Sequence, residues 1–249
     1  AALPDSLVEH PTKARYYAAT CMGIRSSHPS ILCFCELLAS VAFPSQHQSL
    51  TPAELTLIAD GELFRAKERI ILKVRDLLTE LQAGLQEDLS RTSLLVPPGF
   101  DPSKMQVVKG ERLEDCPYQY LDYPKHFLGD DKFTFRSLCW WGHHLVFAMI
   151  VEGGQVKQCK KNFFDRFHQL AGQGLELSLA PTFWEWKRGE GYTLPITHDR
   201  KAQLAAVLSG RAWFKIARFV PLDQPAMSEG RLSEVGRETF RSLLPLLTP

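Results

Sequence analysis

The stretch Phe133–Gly153, FTFRSLCWWGHHLVFAMIVEG, is the most apolar part of this 249-residue chain and decides its fold. Its flanks are rich in aromatic and β-branched residues, which suit a pleated, half-buried surface. A single strand of this length would be several times the usual ~5–6 residues, and Gly142 can adopt the positive φ of a tight reversal. We therefore predict a hairpin with arms from Phe133 to about Trp141 and from about His144 to Val151, closed by Gly153-Gly154. One bent strand with a bulge at Gly142 is the alternative.

Three residues of the hairpin are the first candidates for a functional site. Side chains alternate across a strand, so a reversal at Gly142 would set Arg136, Trp140 and His144 on one side of the sheet. A guanidinium group suits carboxylate or phosphate, and an imidazole titrates at about 6.5, near working pH. We predict a pocket on the sheet for a small polar or anionic ligand, lined by Arg136, Trp140, His144, Asp122 and Glu185. No motif names a reaction, and an enzyme built on this pocket would use His144 as general acid or base.

The adjacent histidines His143 and His144 have a simpler explanation than a metal site. Neighbouring residues on one strand point to opposite faces, so the two imidazoles are not expected to bind one ion. A turn histidine beside a hydrogen-bonded core histidine is the favoured interpretation. We predict no metal site and no cofactor, and a site assembled from scattered histidines is the minority alternative.

Asp122 and the tryptophans near Glu185 each have two readings. Asp122 lies in the segment YLDYP, where its carboxylate could pair with Arg136 of a neighbouring strand. That pair could anchor a ligand, but a buried ion pair that fixes strand register is the favoured interpretation. The segment Trp184–Arg188 holds two tryptophans and two basic residues, as in a base-stacking platform, yet an ordinary core strand is favoured.

Composition narrows the class of partner and the compartment. Lys and Arg number 29 against 28 Asp and Glu, so the net charge of +1 gives no electrostatic reason to expect nucleic acid or an anionic membrane. Arg136 and His144 would interrupt a membrane span. The six cysteines form no C-x-x-C pair and are expected to be reduced thiols. Without a charged-then-apolar leader at the start, the predicted compartment is the cytoplasm.

The first ninety residues are predicted to be mainly helical. Thr12–Met22 and Pro29–Phe43 have the composition of helices, and Thr51 with Glu54 resembles a capping box. From Glu62 to about Leu89, apolar residues recur at intervals of three and four, which predicts a long amphipathic helix. Its apolar stripe is expected to pack on the chain's own sheet, with coiled-coil dimerisation as the alternative.

The remaining pattern predicts an α+β fold. Val96-Pro97-Pro98-Gly99 breaks the chain, and the predicted organisation is a helical N-terminal extension over residues 1–60 and an α+β domain over residues 61–249. An antiparallel sheet packed by helices follows from short strands joined by turns. The further predicted strands are Met105–Lys109, Tyr118–Tyr123 ended by Pro124, Leu175–Leu179, Phe183–Trp186 and Trp213–Val220; the further predicted helices are Lys160–Ala171, Arg200–Leu208 and Leu232–Leu244.

Two short motifs resemble a pattern of an uncharacterised bacterial protein family. They are P-Y-x-x-L-D-Y-P, from Pro117 to Pro124, and F-R-x-x-x-W-W-G, from Phe135 to Gly142. The resemblance covers roughly Glu62 to Leu208, and the first sixty residues look like an addition. It implies the extent of the domain and brings no activity.

A function of another class is the rival to a ligand pocket. In an interaction or structural module without catalytic activity, the tryptophans would be core residues. The N-terminal helices would then form a surface for a partner or for a homo-oligomer.

Overall fold

The computed structural model describes residues 49–249. The chain divides into two units between Leu55 and Thr56, and the second unit holds the sheet. The predicted helices Thr12–Met22 and Pro29–Phe43, three of the cysteines (Cys21, Cys33 and Cys35) and the predicted oligomer surface lie outside the described residues. The predicted domain boundary at residues 60 and 61 stays a prediction.

Two helices begin the described chain, and each starts as its sequence indicates. Helix α1 is Pro52–Ala59, and its capping box forms because the Thr51 backbone N–H donates to Glu54 Oε2 at 2.7 Å while Glu54 N–H donates to Thr51 Oγ1 at 3.3 Å. Helix α2 is Gly61–Ser90, and the Asp60 carboxylate accepts from the first free backbone N–H groups. The long amphipathic helix predicted over Glu62–Leu89 is confirmed.

A seven-stranded sheet follows, and every neighbouring pair of strands is antiparallel. The strand order is β1-β2-β3-β4-β7-β5-β6. The predicted α+β class with an antiparallel sheet is therefore confirmed. The strands are β1 Gln106–Leu113, β2 Cys116–Leu128, β3 Asp131–Trp140, β4 His144–Glu152, β5 Glu176–Ser178, β6 Thr193–Pro195 and β7 Trp213–Pro221.

The apolar stretch forms the predicted hairpin of β3 and β4 in the middle of the sheet. Trp140 faces His144 across the turn, and Gly142 has φ +75°, in the region that favours glycine. Strand β4 ends at Glu152, directly before Gly153 with φ +100°. A Cβ on Gly153 would lie 1.8 Å from Asp131 Oδ1, and together with the positive φ this disfavours a larger residue at this end of the hairpin.

The prediction that Pro124 ends its strand is wrong. Strand β2 continues to Leu128, and the register against β3 shifts between Asp122 and Lys125. The Tyr123–Pro124 peptide bond is cis. A proline lacks the N–H that a regular ladder needs, and a bulge is one of the few interior positions that tolerate it.

The prediction of a strand over Phe183–Trp186 is also wrong. These residues form an irregular segment whose rings pack onto the sheet, so the aromatic enrichment reflects burial rather than strand pairing. The predicted helix Lys160–Ala171 is two helices, because the chain is interrupted at Arg166. The later helices are α3 Val156–Asp165, α4 Phe167–Leu170, α5 Lys201–Ser209, α6 Pro225–Ser228 and α7 Leu232–Leu247, with a 3₁₀ turn over His198–Arg200.

The sheet has one face against helices and one face under the irregular segment. On the helical side, the stripe of α2 packs on the sheet as predicted, and Gln119 Nε2 donates to the Ile71 carbonyl at 3.0 Å. The opposite surface, called the aromatic face below, holds a second cluster. Its apolar sheet residues are Tyr120, Leu138, Trp140, Val146, Ala148, Ile150, Ala217 and Phe219.

Three of the six cysteines lie in the part of the chain that the structure describes. Cys116, Cys139 and Cys159 are free, and burial raises the pKa of Cys139 and of Cys159 to about 12, so neither is a reactive thiolate at neutral pH. Between residues 49 and 249, no helix has the length and apolar character needed to cross a membrane.

Helix α7 lies close to both α2 and the sheet at Gly236. A Cβ at this position would lie 2.7 Å from Leu81 Cδ1 and 3.0 Å from Phe147 Cε1. We expect Gly236→Val to lower the free energy of unfolding by about 1–3 kcal/mol through overpacking, measured by urea denaturation. Gly210→Ala is the control, because its Cβ meets open space at an ordinary φ of −88°. Equal stability of the Gly236→Val variant and the wild type would contradict this account of the packing.

Candidate functional site

The hairpin brings Arg136, Trp140 and His144 to the aromatic face. Arg136 pairs with Ala148 and Trp140 with His144, so alternation sets all three side chains on one side of the sheet. Asp122 is the partner of Arg136 on β2 and lies on the same side. Four of the five predicted ligand-binding residues are therefore neighbours on one surface.

Asp122 and Arg136 form a buried ion pair. Arg136 Nε donates to Asp122 Oδ1 and Nη2 to Oδ2, both at 2.7 Å, and the side chains are 5% and 0% exposed. This two-point geometry matches the planar fork of arginine. Because the partners are directly opposite on adjacent strands, the pair fixes register, as the favoured interpretation of the sequence proposes.

Aromatic rings surround the Arg136 guanidinium. Its central carbon lies 3.8 Å from the centroid of the Tyr120 ring, 4.8 Å from that of Trp184 and 5.4 Å from that of Trp186. Rings that face a cation stabilise it through their negative quadrupole. The positive charge is therefore held by one carboxylate and three aromatic faces.

Lys215 is a second buried cation on this surface, and the sequence reasoning missed it. It lies on β7 opposite Ile150, is 1% exposed, and its Nζ lies 4.1 Å from the centroid of the Trp186 ring. Nζ donates to the carbonyl of Phe183 at 3.1 Å and to that of Glu185. Burial lowers the pKa of Lys215 to about 7, with Glu185 opposing this shift and the charge of Arg136 adding to it. A lysine in the middle of the apolar run WFKIARFVP was the available signal.

The irregular segment Ala180–Arg188, called the covering segment below, closes the aromatic face. It is attached by the two carbonyls that bind Lys215 and by the Trp186 carbonyl, which lies 3.0 Å from His144 Nε2. Trp186 is 4% exposed, which confirms a core role for this tryptophan. The Glu185 carboxylate accepts from the Lys187 backbone N–H at 2.9 Å, so the fifth predicted residue bonds to Lys215 through its carbonyl, and its carboxylate acts on Lys215 from beyond ion-pair distance.

His144 is half-buried and lies beside the fully buried Trp140. Trp140 Nε1 donates to the Leu113 carbonyl at 2.9 Å. A carbonyl only accepts, so His144 Nε2 carries a proton and its Nδ1 is the basic nitrogen. Burial lowers the pKa of His144, and the bond to Trp186 opposes that shift, so the ring is mainly neutral at pH 7.

The two histidines are not separated as adjacent strand residues would be. His143 belongs to the turn, and its ring stacks on Trp140 with centroids 3.7 Å apart, while His144 meets the same indole edge-on at 5.5 Å. The description of a turn histidine beside a hydrogen-bonded one is confirmed, but the expectation of opposite faces is wrong. Within residues 49–249, no group of three or more His, Cys, Asp or Glu side chains could hold a metal ion.

Comparison with known proteins assigns no family to the chain. No protein-family model, curated protein or solved structure matches the chain. The resemblance to an uncharacterised bacterial family therefore stays a prediction, as does the cytoplasmic compartment. A cleft of about 670 Å³ lies beside the end of β4, and none of the five predicted ligand-binding residues lines it.

The buried Lys215 predicts a pH-dependent stability. Its folded pKa of about 7 lies below the unfolded value of about 10.4, so the unfolded chain binds more protons between these values. Stability should rise with pH across that window, by at most about 1.4 kcal/mol per unit. We expect chemical denaturation from pH 7 to pH 9 to show this rise in the wild type and its absence in Lys215→Met. Parallel pH profiles of the two proteins would contradict the assignment.

Proposed function

We propose that the protein binds a small anionic ligand on the aromatic face, between the sheet and the covering segment. The observation that carries the proposal is that the Lys215 ammonium group is buried without an ion pair in the described chain. Among residues 49–249, no carboxylate lies within ion-pair distance of its Nζ. The Glu185 carboxylate acts on Lys215 from beyond ion-pair distance and only partly opposes the effect of burial, so the buried cation is costly, and an anionic ligand would supply a direct counter-charge.

The charges on the aromatic face support an anion rather than a cation. Asp122 already offers both oxygens to Arg136, so the pair is locally neutral. Glu176, buried on β5 opposite Ala217, accepts from Arg188 Nε at 2.7 Å and from Thr193 Oγ1 at 2.6 Å. With these two carboxylates occupied and that of Glu185 beyond ion-pair distance, Lys215 is a buried cation that has no ion pair in the described chain.

A buried hydroxyl group and the aromatic rings favour a ligand with a planar part. The Thr134 side chain faces the same way as Arg136, is 0% exposed, and its Oγ1 has no hydrogen-bond partner in the described chain. Buried polar atoms are seldom left without a partner in native proteins. Trp184 and Trp186 offer flat apolar surfaces nearby, so a carboxylate or phosphate joined to a planar group fits the chemistry best.

Entry to the site requires movement of the covering segment. The segment has no regular secondary structure, and its attachments to Lys215 and His144 are single hydrogen bonds to carbonyl oxygens. The ion pairs of Lys187 with Glu114 and of Arg188 with Glu176 hold its C-terminal end, so the movement is expected at Phe183–Trp186. An anionic oxygen accepts a hydrogen bond from an ammonium group more strongly than a carbonyl does. A ligand could therefore replace those carbonyls on Lys215 at a net gain. If the bound ligand reacts, His144 Nδ1 is the candidate base on the aromatic face.

The test is a ligand screen on wild type and Lys215→Met. We expect a small aromatic carboxylate or phosphate to raise the melting temperature of the wild type and to have no effect on the variant. The variant itself should stay folded at pH 7, because methionine removes a buried charge, which offsets the loss of the hydrogen bonds to the carbonyls of Phe183 and Glu185. Arg136→Ala is a poorer test, since it would leave Asp122 buried and unpaired.

The control for this screen is Lys73→Met, which removes an exposed lysine from α2. It should respond to each ligand as the wild type does. A ligand that stabilises the wild type and Lys215→Met equally binds elsewhere, and a screen in which no anion stabilises the wild type refutes the proposal.

A second candidate function is self-association through α2, favoured by its exposed apolar residues. Leu63, Phe64 and Ile70 are 45%, 49% and 44% exposed. They continue the same stripe that is buried from Ile71 to Leu85, because residues seven and eight apart lie on one helix face. An apolar stripe that runs beyond its own sheet suits the matching stripe of a second copy.

We expect Phe64→Glu to convert a dimer to a monomer in light scattering, with the fold retained by circular dichroism. Arg69→Glu adds the same carboxylate at an exposed polar position of the helix and should leave the dimer intact. A wild type that is monomeric at high concentration would exclude this function and leave ligand binding unaffected.

A further inference from the structure

A cleft of about 670 Å³ opens where β4 leaves the sheet for α3. Its walls come from Glu152–Gly154, from the first two turns of α3, and from the connection Ser209–Ala212 that leads into β7. The volume is within the ~300–1,000 Å³ of small-molecule sites. Lys215 does not line it, so this cleft is separate from the site proposed on the aromatic face.

Three cationic side chains line the cleft: Lys157, Lys160 and Arg211. The acidic residues in its wall are Asp130 and Glu152, and Glu152 is already paired with Lys132. In the part of the chain that the structure describes, neither Lys160 nor Arg211 has a carboxylate within ion-pair distance. The cleft therefore has a net positive charge, and two of its cations have no carboxylate partner among the described residues.

The hydrogen bonds of Lys160 and Arg211 hold both side chains in place and use only some of their N–H donors. Lys160 Nζ donates to the Arg211 carbonyl, while Arg211 Nη1 and Nη2 donate to the carbonyls of Ser178 and Leu179 at 2.7 and 2.5 Å. An ammonium group has three N–H donors and a guanidinium group has five. Burial lowers the pKa of both side chains, as expected for cations that have lost water without gaining a counter-ion.

We propose that this cleft binds the phosphate group of a small phosphorylated molecule, held by Lys160 and Arg211 with Lys157 contributing charge. Two or three cations around one space suit a dianion better than a single carboxylate. The backbone at Gly154 is open to a ligand, because a Cβ there would meet nothing within 4 Å. The positive end of α3, which begins at Val156, adds to the same field.

The experiment titrates the full chain with inorganic phosphate and with methyl phosphate by calorimetry, at constant ionic strength. The main variant is Lys160→Gln. Its matched control is Lys161→Gln, which removes the same charge from the next position of α3, where the side chain is exposed and paired with Asp165. We expect Lys160→Gln to weaken phosphate binding about tenfold or more, as loss of a charged hydrogen bond does, and Lys161→Gln to change it less than about twofold.

Three results would overturn the proposal. The first is no phosphate binding by the wild type, and the second is equal weakening by Lys160→Gln and Lys161→Gln, which would indicate general electrostatics. The third is loss of phosphate binding in Lys215→Met with Lys160→Gln unaffected, which would place the anion on the aromatic face. Unchanged phosphate binding in Lys215→Met supports the cleft and leaves the site on the aromatic face to its own test.

Discussion

The bidentate contact between Asp122 and Arg136 constrains the whole sheet. The two residues are direct partners on β2 and β3, so their contact exists in one register. A slip of one residue between β2 and β3 would turn every side chain of the slipped strand to the other face and bury one charge of the pair against the helices without its partner. Because halving a buried pair costs about 3–5 kcal/mol, competing registers are strongly disfavoured. The faces of β2 and β3, and with them the position of Trp140, follow from this register, while the turn at Gly142 sets β4 and the position of His144.

Much of the fold could be predicted because its signals are local. The hairpin follows from an apolar run that is too long for one strand and contains Gly142, and α2 follows from a stripe that repeats over thirty residues. The errors occurred where tertiary context decided the structure. Pro124 remains inside β2 because a bulge absorbs it, and Phe183–Trp186 pack as a cover although their composition is that of a strand.

Only part of the candidate site could be predicted, because tertiary context again decided the rest. Alternation alone groups Arg136 with Trp140 and His144, since all three belong to one hairpin. Lys215 could not be added in this way, because its environment comes from Phe183 and Glu185, about thirty residues earlier in the chain. No periodicity within β7 indicates what will lie over it. Burial by a distant, irregular segment is a property of the assembled molecule.

The depressed pKa of Lys215 connects ligand binding on the aromatic face with protonation. With a pKa of about 7, the buried amine is close to half-protonated at neutral pH. A neutral amine keeps two N–H groups, enough for the carbonyls of Phe183 and Glu185, so the covering segment can remain attached in either state. An anion beside the nitrogen stabilises the protonated form and raises its pKa. Binding of an anion would therefore take up a proton, and affinity would weaken as the pH rises above 7. The same charge that destabilises the empty protein thus becomes the source of affinity when the ligand is bound.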